Sequence, residues 1–301
     1  MREIKIIEED REYFFDASRL HIIEPKIGLF LREEHSPLLF LPEQGEEIFP
    51  SSASLITEHD ETGILRERHW EREGRWEGEY ERYFPEGALA ERGFYRAGKR
   101  CGPLFCYFPD GSVATESWWF KGMRQGRTRH HFPDSALHSV RFFRNHLREG
   151  EHCFFSNRGL LQTFLPYREN LLEGTVVLYF LSGEKQQEIS YTRGKREGVE
   201  RNWNREGNVL TESHYRGGQV CGIQRSWHAN GQLFQEIRYL AEKPACDFRE
   251  WDAKGTLLRE RLCQEGGKRC KESLYDASTG ALLTTRWGKW KGNRLYFSAS
   301  E

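Results

Sequence analysis

The chain has 301 residues, 37% of them hydrophobic and 14% aromatic, with a net charge of -1 and a mean hydropathy of -0.77. Its 45 Lys and Arg against 46 Asp and Glu exclude a global field that would draw it to nucleic acid or an anionic membrane. The aromatic content excludes a disordered chain, and the low apolar fraction points to a thin fold that buries large side chains in little volume.

The opening stretch, "MREIKIIEEDREYFF", is charged and lacks the apolar run of a signal peptide. No segment reaches the ~20 apolar residues of a membrane span, so a soluble, cytoplasmic protein without a transmembrane segment is expected. Residues 1–50 show no internal period. "EIKII", "YFF", "IGLFL" and "PLLFLP" read as short strands. They form either a segment that caps the first exposed edge of the sheet beyond them or a small β domain of their own.

A repeat array occupies residues 51–294 and leaves 295–301 as a tail. A worn repeat comes first, with Gly63, Leu65 and Gly74 in step. With Gly78 as position 0, glycines recur at Gly102, Gly126, Gly150, Gly174, Gly198 and Gly222, and Cys246 and Cys270 continue the series. A strict 24-residue period of this kind marks a repeat architecture. Position 5 carries a ring, as in Tyr83, Tyr107, Trp203 and Trp251. Position 9 carries a turn glycine, as in Gly87, Gly111 and Gly207, with Ser135 the exception. Position 11 is usually aliphatic, position 17 is aromatic (Tyr95, Trp119, Phe143, Tyr215), and position 20 is often glycine. The last repeat carries one extra residue, which moves its turn glycine to Gly280.

Two turns per repeat leave two strands per repeat. The first turn, as in Phe108-Pro109-Asp110-Gly111, reads as a type I turn closed by a left-handed glycine. That loop pairs position 6 with 10 and 5 with 11. The same logic at the second turn pairs 17 with 21, which places positions 5, 11 and 17 on one face. The expected fold is all-β: an elongated antiparallel β-hairpin meander of about nine 24-residue repeats with an N-terminal cap.

The skeleton Y-x-x-G-[KR]-x-x-G-x-x-x-x-[YW]-x-x-x-G, at Tyr95 to Gly111 and Tyr191 to Gly207, resembles the MORN repeat. "NGQLFQEIRY" at Asn230 to Tyr239 is similar to the bacterial variant of that repeat. The resemblance implies a scaffold for protein binding or a membrane-linked module, and the variant is often labelled antitoxin-like. In the third and fourth repeats Ser135, His146 and Asn170 replace glycines, so those turns depart from the pattern.

Nothing in the sequence has the spacing of a nucleophile elbow, phosphate loop or dinucleotide motif, so no enzyme and no cofactor is expected. The carboxylates at position 14, Glu116, Glu188, Glu212, Glu236 and Glu260, recur, whereas a catalytic site needs one asymmetric arrangement. They read as partners of Arg or of backbone donors. His130, His138 and His146 share even positions but lack the completing ligand of a metal site. The seven cysteines form no CxxC pair and read as free thiols, with Cys246 and Cys270 explained by small size.

One asymmetry singles out candidate partner-binding residues. At position 16 the first three repeats carry Phe94, Trp118 and Phe142, where later ones carry Ser190, His214 and Arg238. Phe120 and the arginines at position 18, Arg96 and Arg144, accompany them. Either the N-terminal segment folds back over these rings and makes them core, or they form an aromatic-basic stripe for a partner. Another protein is the expected partner. The alternative is an anionic lipid surface met by the local basic stretch Arg124, Arg127, Arg129, Arg141, Arg144 and Arg148. No nucleic acid is expected.

Overall fold

A computed structural model describes residues 3–8, 11–16, 53–240, 243–264, 269–291 and 294–297. The described residues contain strands and turns and no helix, hence no helix long and apolar enough to cross a membrane. Two compact halves divide the chain, Met1–Gly159 and Leu160–Glu301.

In the first half, strand follows strand from Ser54–His59 to Gly150–Phe155, each pairing antiparallel with the next. Apart from this sheet, Glu3–Glu8 pairs with Arg11–Asp16 in a two-stranded hairpin. These are the "EIKII" and "YFF" strands; "IGLFL" and "PLLFLP" lie outside the described residues. The second half continues the plan from Leu161–Arg168 to Arg294–Phe297. Its last strand runs into the residues read as a tail.

Up to the last repeat, the first turn has the expected three-residue loop. Phe108 N–H donates to the Ser112 carbonyl at 2.8 Å and Gly111 N–H to the Phe108 carbonyl at 2.9 Å. The expected opposition of positions 5 and 11 is present as Tyr83↔Leu89, Tyr107↔Val113, Trp203↔Val209 and Trp227↔Leu233.

The second turn corrects the sequence reading. Position 17 pairs with 22 and 18 with 21, as in Tyr95↔Arg100 and Arg96↔Lys99. The loop therefore has two residues, both left-handed: Ala97 at φ 47° with Gly98 at 75°, Lys121 at 49° with Gly122 at 81°. Two adjacent positive φ values define the type I′ turn, whose twist matches that of its strands. In most of these turns glycine holds only the second of the two positions, which is why the shorter loop does not show in the sequence.

The turns that lack glycine keep the same backbone. Ser135 sits at φ 65°, His146 at 69° and Asn170 at 71°. A left-handed L-residue costs about 1–2 kcal/mol, less for Asn. The His146 side chain offsets this: its Nδ1 accepts from Arg124 N–H at 3.2 Å, its Nε2–H donates to the Gly122 carbonyl at 3.1 Å, and its ring meets Trp119 edge-on at 5.5 Å. Ser135→Gly is therefore expected to raise stability by about 1 kcal/mol. His146→Gly should give no gain, because relief of strain is offset by the lost contacts. Thermal melts of the two variants check both.

A bulge decides which residues share a face. Between the Cys106↔Thr115 and Tyr107↔Val113 rungs the register slips by one, and position 12 is the extra residue. A one-residue slip exchanges the faces of a strand. Position 17 consequently lies with positions 0, 2, 4, 13 and 15, as Gly102↔Trp119 and Leu104↔Ser117 show. The ring at position 5 lies on the opposite face with 3, 14 and 16. The expectation that 5, 11 and 17 share a face is thus overturned. The marker glycines sit in a second bulge, between rungs such as Gln125↔Trp118 and Arg129↔Glu116. All seven, from Gly78 to Gly222, have positive φ between 66° and 110°.

At Cys270 no bulge occurs. Arg259↔Leu274 through Cys263↔Cys270 form an unbroken ladder. Cys263 and Cys270 stand opposite each other, with Cα atoms 4.0 Å apart, and are disulfide-bonded. The reading of every cysteine as a free thiol is thereby corrected: Cys270 takes the marker position because its backbone is ordinary strand and its sulfur is bonded across the sheet. Cys101, Cys106, Cys153 and Cys221 are free.

In each half one column of the sheet is buried most consistently. Position 2 is buried in repeat after repeat, by Tyr80, Leu104, Thr128, His152, Val176, Glu200 and Glu272. Four of these seven are polar, so each must find a partner or remain a cost.

His152 illustrates the consequence. Its Nε2–H donates to the Phe142 carbonyl at 2.8 Å, and burial pulls its pKa down to about 4. Burial, followed by the nearby Arg141 charge, does the same to His130. A folded value below the unfolded ~6.5 means the neutral form is the one the fold accepts. Stability is complete above about pH 6.5 and declines as pH falls toward about 4. At about pH 5 each histidine is expected to cost the first half about 2 kcal/mol. A His152→Gln variant should show a flatter dependence of melting temperature between about pH 7 and 5.

Candidate functional site

The face that carries position 17 is a stack of rings and guanidinium groups. Trp119 lies between Arg100 (5.2 Å from guanidinium carbon to ring centre) and Arg124 (5.3 Å), and Arg124 also covers Phe143 at 4.9 Å. Arg196 repeats the arrangement over Tyr215 at 5.1 Å. The arginines all come from position 22, placed beside position 17 by the two-residue turn. Each such contact contributes about 0.5–1 kcal/mol. Further along, Tyr80 packs edge-on against Tyr95 at 4.9 Å, and Trp76 against Tyr95 at 4.8 Å.

The opposite face carries a ladder of charge. Arg201 pairs with Glu212 (2.7 Å), Arg225 with Glu236 (2.9 Å), and Arg249 with both Glu236 (3.7 Å) and Glu260 (2.8 Å). In the first half Arg129 pairs with Glu116 at 3.0 Å, while in the second Lys185 pairs with Glu188 at 2.6 Å. All five carboxylates read from position 14 are therefore bound to cations. Partly exposed pairs of this kind contribute little each; their effect is to keep the face polar and in register.

The aromatic candidates stand on this second face, in the first half of the chain. Trp118 is 3% exposed, packed beside Cys101 and Phe120. Phe94, Phe120, Phe142 and Arg96 are half-buried, and Arg144 is exposed. Trp118 is core, while its flanking rings keep partial access to solvent.

The three histidines at even positions do not converge. His130 Nδ1–H donates to Thr115 Oγ1 at 3.0 Å and its Nε2 accepts from Arg141. His138 meets Phe132 at 4.7 Å and Phe154 at 6.3 Å. His146 braces its own turn. Among the described residues no three His, Cys, Asp or Glu side chains are grouped to hold a metal ion.

Sequence reasoning missed an open groove in the second half. It has a volume of ≈ 550 Å³ and is lined by Phe180, Gln186, Trp203, Arg205, Glu206 and Leu210 among others. Lys185 covers Trp203 at 5.3 Å and Arg205 covers Phe180 at 5.8 Å. Leu181, one residue beyond Phe180 at the hairpin tip, is 78% exposed. Position 5 becoming Trp at 203, beside Phe180, was the available signal.

Strand–turn–strand units whose two faces repeat the same side-chain contacts define a hairpin repeat protein. The family model of the MORN repeat variant matches this chain at residues 76–97 and 220–241, one stretch in each half, so the chain carries MORN-variant repeats. No curated protein matches it. Among solved structures, that of TcdB2-TccC3-TEV is similar over 84% of this chain at 10% identity and a TM-score of 0.18. The pore form of the Photorhabdus luminescens Tc holotoxin is similar over 82% at 12% identity and a TM-score of 0.19. The chain spans 16% of the length of each. Likenesses this distant carry no argument about function.

Proposed function

We propose that the chain is a non-catalytic repeat scaffold that binds another protein. The observation that carries this reading is the groove at Trp203. A Leu side chain 78% exposed stands at a hairpin tip next to Phe180, which lines an open groove together with Trp203 and Arg205. Exposed apolar side chains grouped with Trp and Arg are what protein interfaces concentrate. The half-buried Phe94 and Phe142 and the exposed Arg144 of the first half offer a second contact region in the same reading. Antitoxin-like neutralisation is its narrower form, in which the partner is harmful alone and harmless when bound.

A quantitative pull-down from lysate of the source cells tests it, with wild type compared with Leu181→Ser/Trp203→Ala and with Phe94→Ser/Phe142→Ser. Circular dichroism first confirms that each variant is folded. One protein enriched by wild type and lost with the first variant supports the groove. Loss only with the second variant moves the interface to the first half, and enrichment of no protein overturns the scaffold reading. Toxicity of the captured partner, expressed with and without this chain, tests the narrower form.

A further inference from the structure

On the ring-and-guanidinium face, two arginines at position 22 are answered by a carboxylate, one of the same repeat and one of the next. Arg100 pairs with Glu91, at position 13, at 3.0 Å. Arg196 pairs with Glu200, at position 2 of the next repeat, at 3.0 Å. Arg124 breaks the rule. The residue at its position 13 is Thr115 and the one at its following position 2 is Thr128. The next repeat is also without an acid at position 13, where Ser139 stands, and it adds Arg141 at position 15, where other repeats carry Gly93, Ser117, Ile189 and Ser213.

The result is a cationic patch with donors to spare. Thr128 and Arg141 are directly opposite each other across one rung, and His130 and Ser139 across the rung two further along. Arg124 and Arg141 form no ion pair among the described residues. Their Nε–H groups, together with Thr128 Oγ1 and Ser139 Oγ, are buried without a hydrogen-bond partner. Thr128 is 0% and Ser139 1% exposed, yet both hydroxyls stay unsatisfied. Native proteins rarely leave such groups alone. Burial and then the Arg100 charge push the Arg124 pKa down, and burial and then Arg124 do the same to Arg141; no carboxylate counters either.

We propose that the half-buried guanidinium groups of Arg124 and Arg141, beside Thr115, receive a carboxylate of an acidic peptide segment from another protein, which supplies in trans the glutamate the repeat lacks. The proposal rests on the scaffold reading and adds the chemistry of one contact. A carboxylate is the group that other repeats, through Glu91 and Glu200, place beside the equivalent arginines. Two guanidinium groups offer it charge-assisted donors. His130 is already neutral and bonded to Thr115 and Arg141, so it orients Arg141 without contributing a charge.

Fluorescence anisotropy with a labelled peptide of alternating Glu and Gly tests it on the full chain. Wild type is expected to bind saturably. Arg124→Gln should weaken binding by about tenfold, and Arg216→Gln, an exposed arginine of the second half, should not. Thr115→Glu restores the repeat's own carboxylate, so it should abolish peptide binding without lowering the melting temperature. That variant decides the question if Arg124→Gln fails to fold. Binding that persists in Thr115→Glu, absence of binding by wild type, or binding of phosphatidylserine vesicles in place of the peptide would each overturn the proposal. A partner captured from lysate and kept by Thr115→Glu would leave the scaffold reading standing and remove this contact from it.

Discussion

Gly93→Ala is expected to destabilise the first half by about 3 kcal/mol, a large effect for a single methyl group. Gly93 does not need its glycine for φ. A Cβ there would lie 2.6 Å from Cε1 of Tyr80 and 2.9 Å from Cδ1 of Leu104. Neither neighbour can yield. Tyr80 is 1% exposed, wedged between Trp76 and Tyr95, with its hydroxyl held by Glu91. Leu104 is buried beside it. Position 15 accepts Ser117 and Ile189 in other repeats, where position 2 carries a smaller side chain than tyrosine. The cost at Gly93 should therefore be relieved in a Tyr80→Leu background. Denaturant titrations of the two single variants and the double variant measure that coupling. A Gly93→Ala protein as stable as wild type would show that the Tyr80 column is loosely packed. Gly111→Ala, by contrast, meets nothing within 4 Å and should cost only the left-handed strain of about 1–2 kcal/mol.

Glu272→Ala is expected to cost the second half about 3–5 kcal/mol. The Glu272 side chain is fully buried. Arg259 donates to it through Nε at 2.9 Å and Nη2 at 2.7 Å, and Arg286 through Nε at 2.7 Å. Removing the carboxylate leaves two guanidinium groups facing one another. Both are partly exposed, so water recovers some of the loss and the lower end of the range is expected. Burial pushes the Glu272 carboxyl up, but the hydrogen bonds from Arg259 and Arg286 outweigh it and hold the pKa below the ordinary carboxylate value. The folded value lies below the unfolded one, so the stabilisation is complete above about pH 4.3 and is lost as pH falls through the folded pKa. Glu272→Gln keeps the shape and removes the charge. It should lower stability at about pH 7 and lose less on acidification than wild type, which urea melts at about pH 7 and pH 3 compare.

How much of the fold is legible in the sequence depends on the length scale of each signal. Opposition of positions 5 and 11 is readable because Pro109, Asp110 and Gly111 specify a known loop and the copy recurs. The second turn is not, because only its second residue is usually glycine; Ala97, Lys121 and Arg193 give no sign that they too are left-handed. The bulge at position 12 leaves no residue signature, since Ala114 and Leu210 serve equally. That one silent residue reverses the face of every aromatic at position 17 and so hides the stacking on the arginines at position 22. The stripe of Phe94, Trp118 and Phe142 does stand on the face of position 14, as its spacing implies. The burial of Trp118, however, depends on packing with Cys101 as well as with Phe120 of its own strand, which spacing alone does not disclose. In the sequence Arg124 and Arg141 are members of a basic stretch and nothing more. Their lack of acids becomes visible only once the register tells which positions are neighbours.

The last repeat shows where the chain tolerates a change of length. Its first loop has four residues in place of three: Asp276 N–H donates to the Ala281 carbonyl and Gly280 N–H to the Asp276 carbonyl, both at 2.8 Å. Tyr275 still opposes Leu282, as position 5 opposes 11 elsewhere. The additional residue is absorbed at the hairpin tip and no side chain changes face. The two-residue turns at the other edge have no such slack, because both residues are fixed at positive φ. The sheet thus has one permissive margin and one rigid margin. Peptide tags, fluorophore sites or whole grafted loops belong at tips such as Asp110 or Asp276, while growth of the protein itself is confined to whole 24-residue modules.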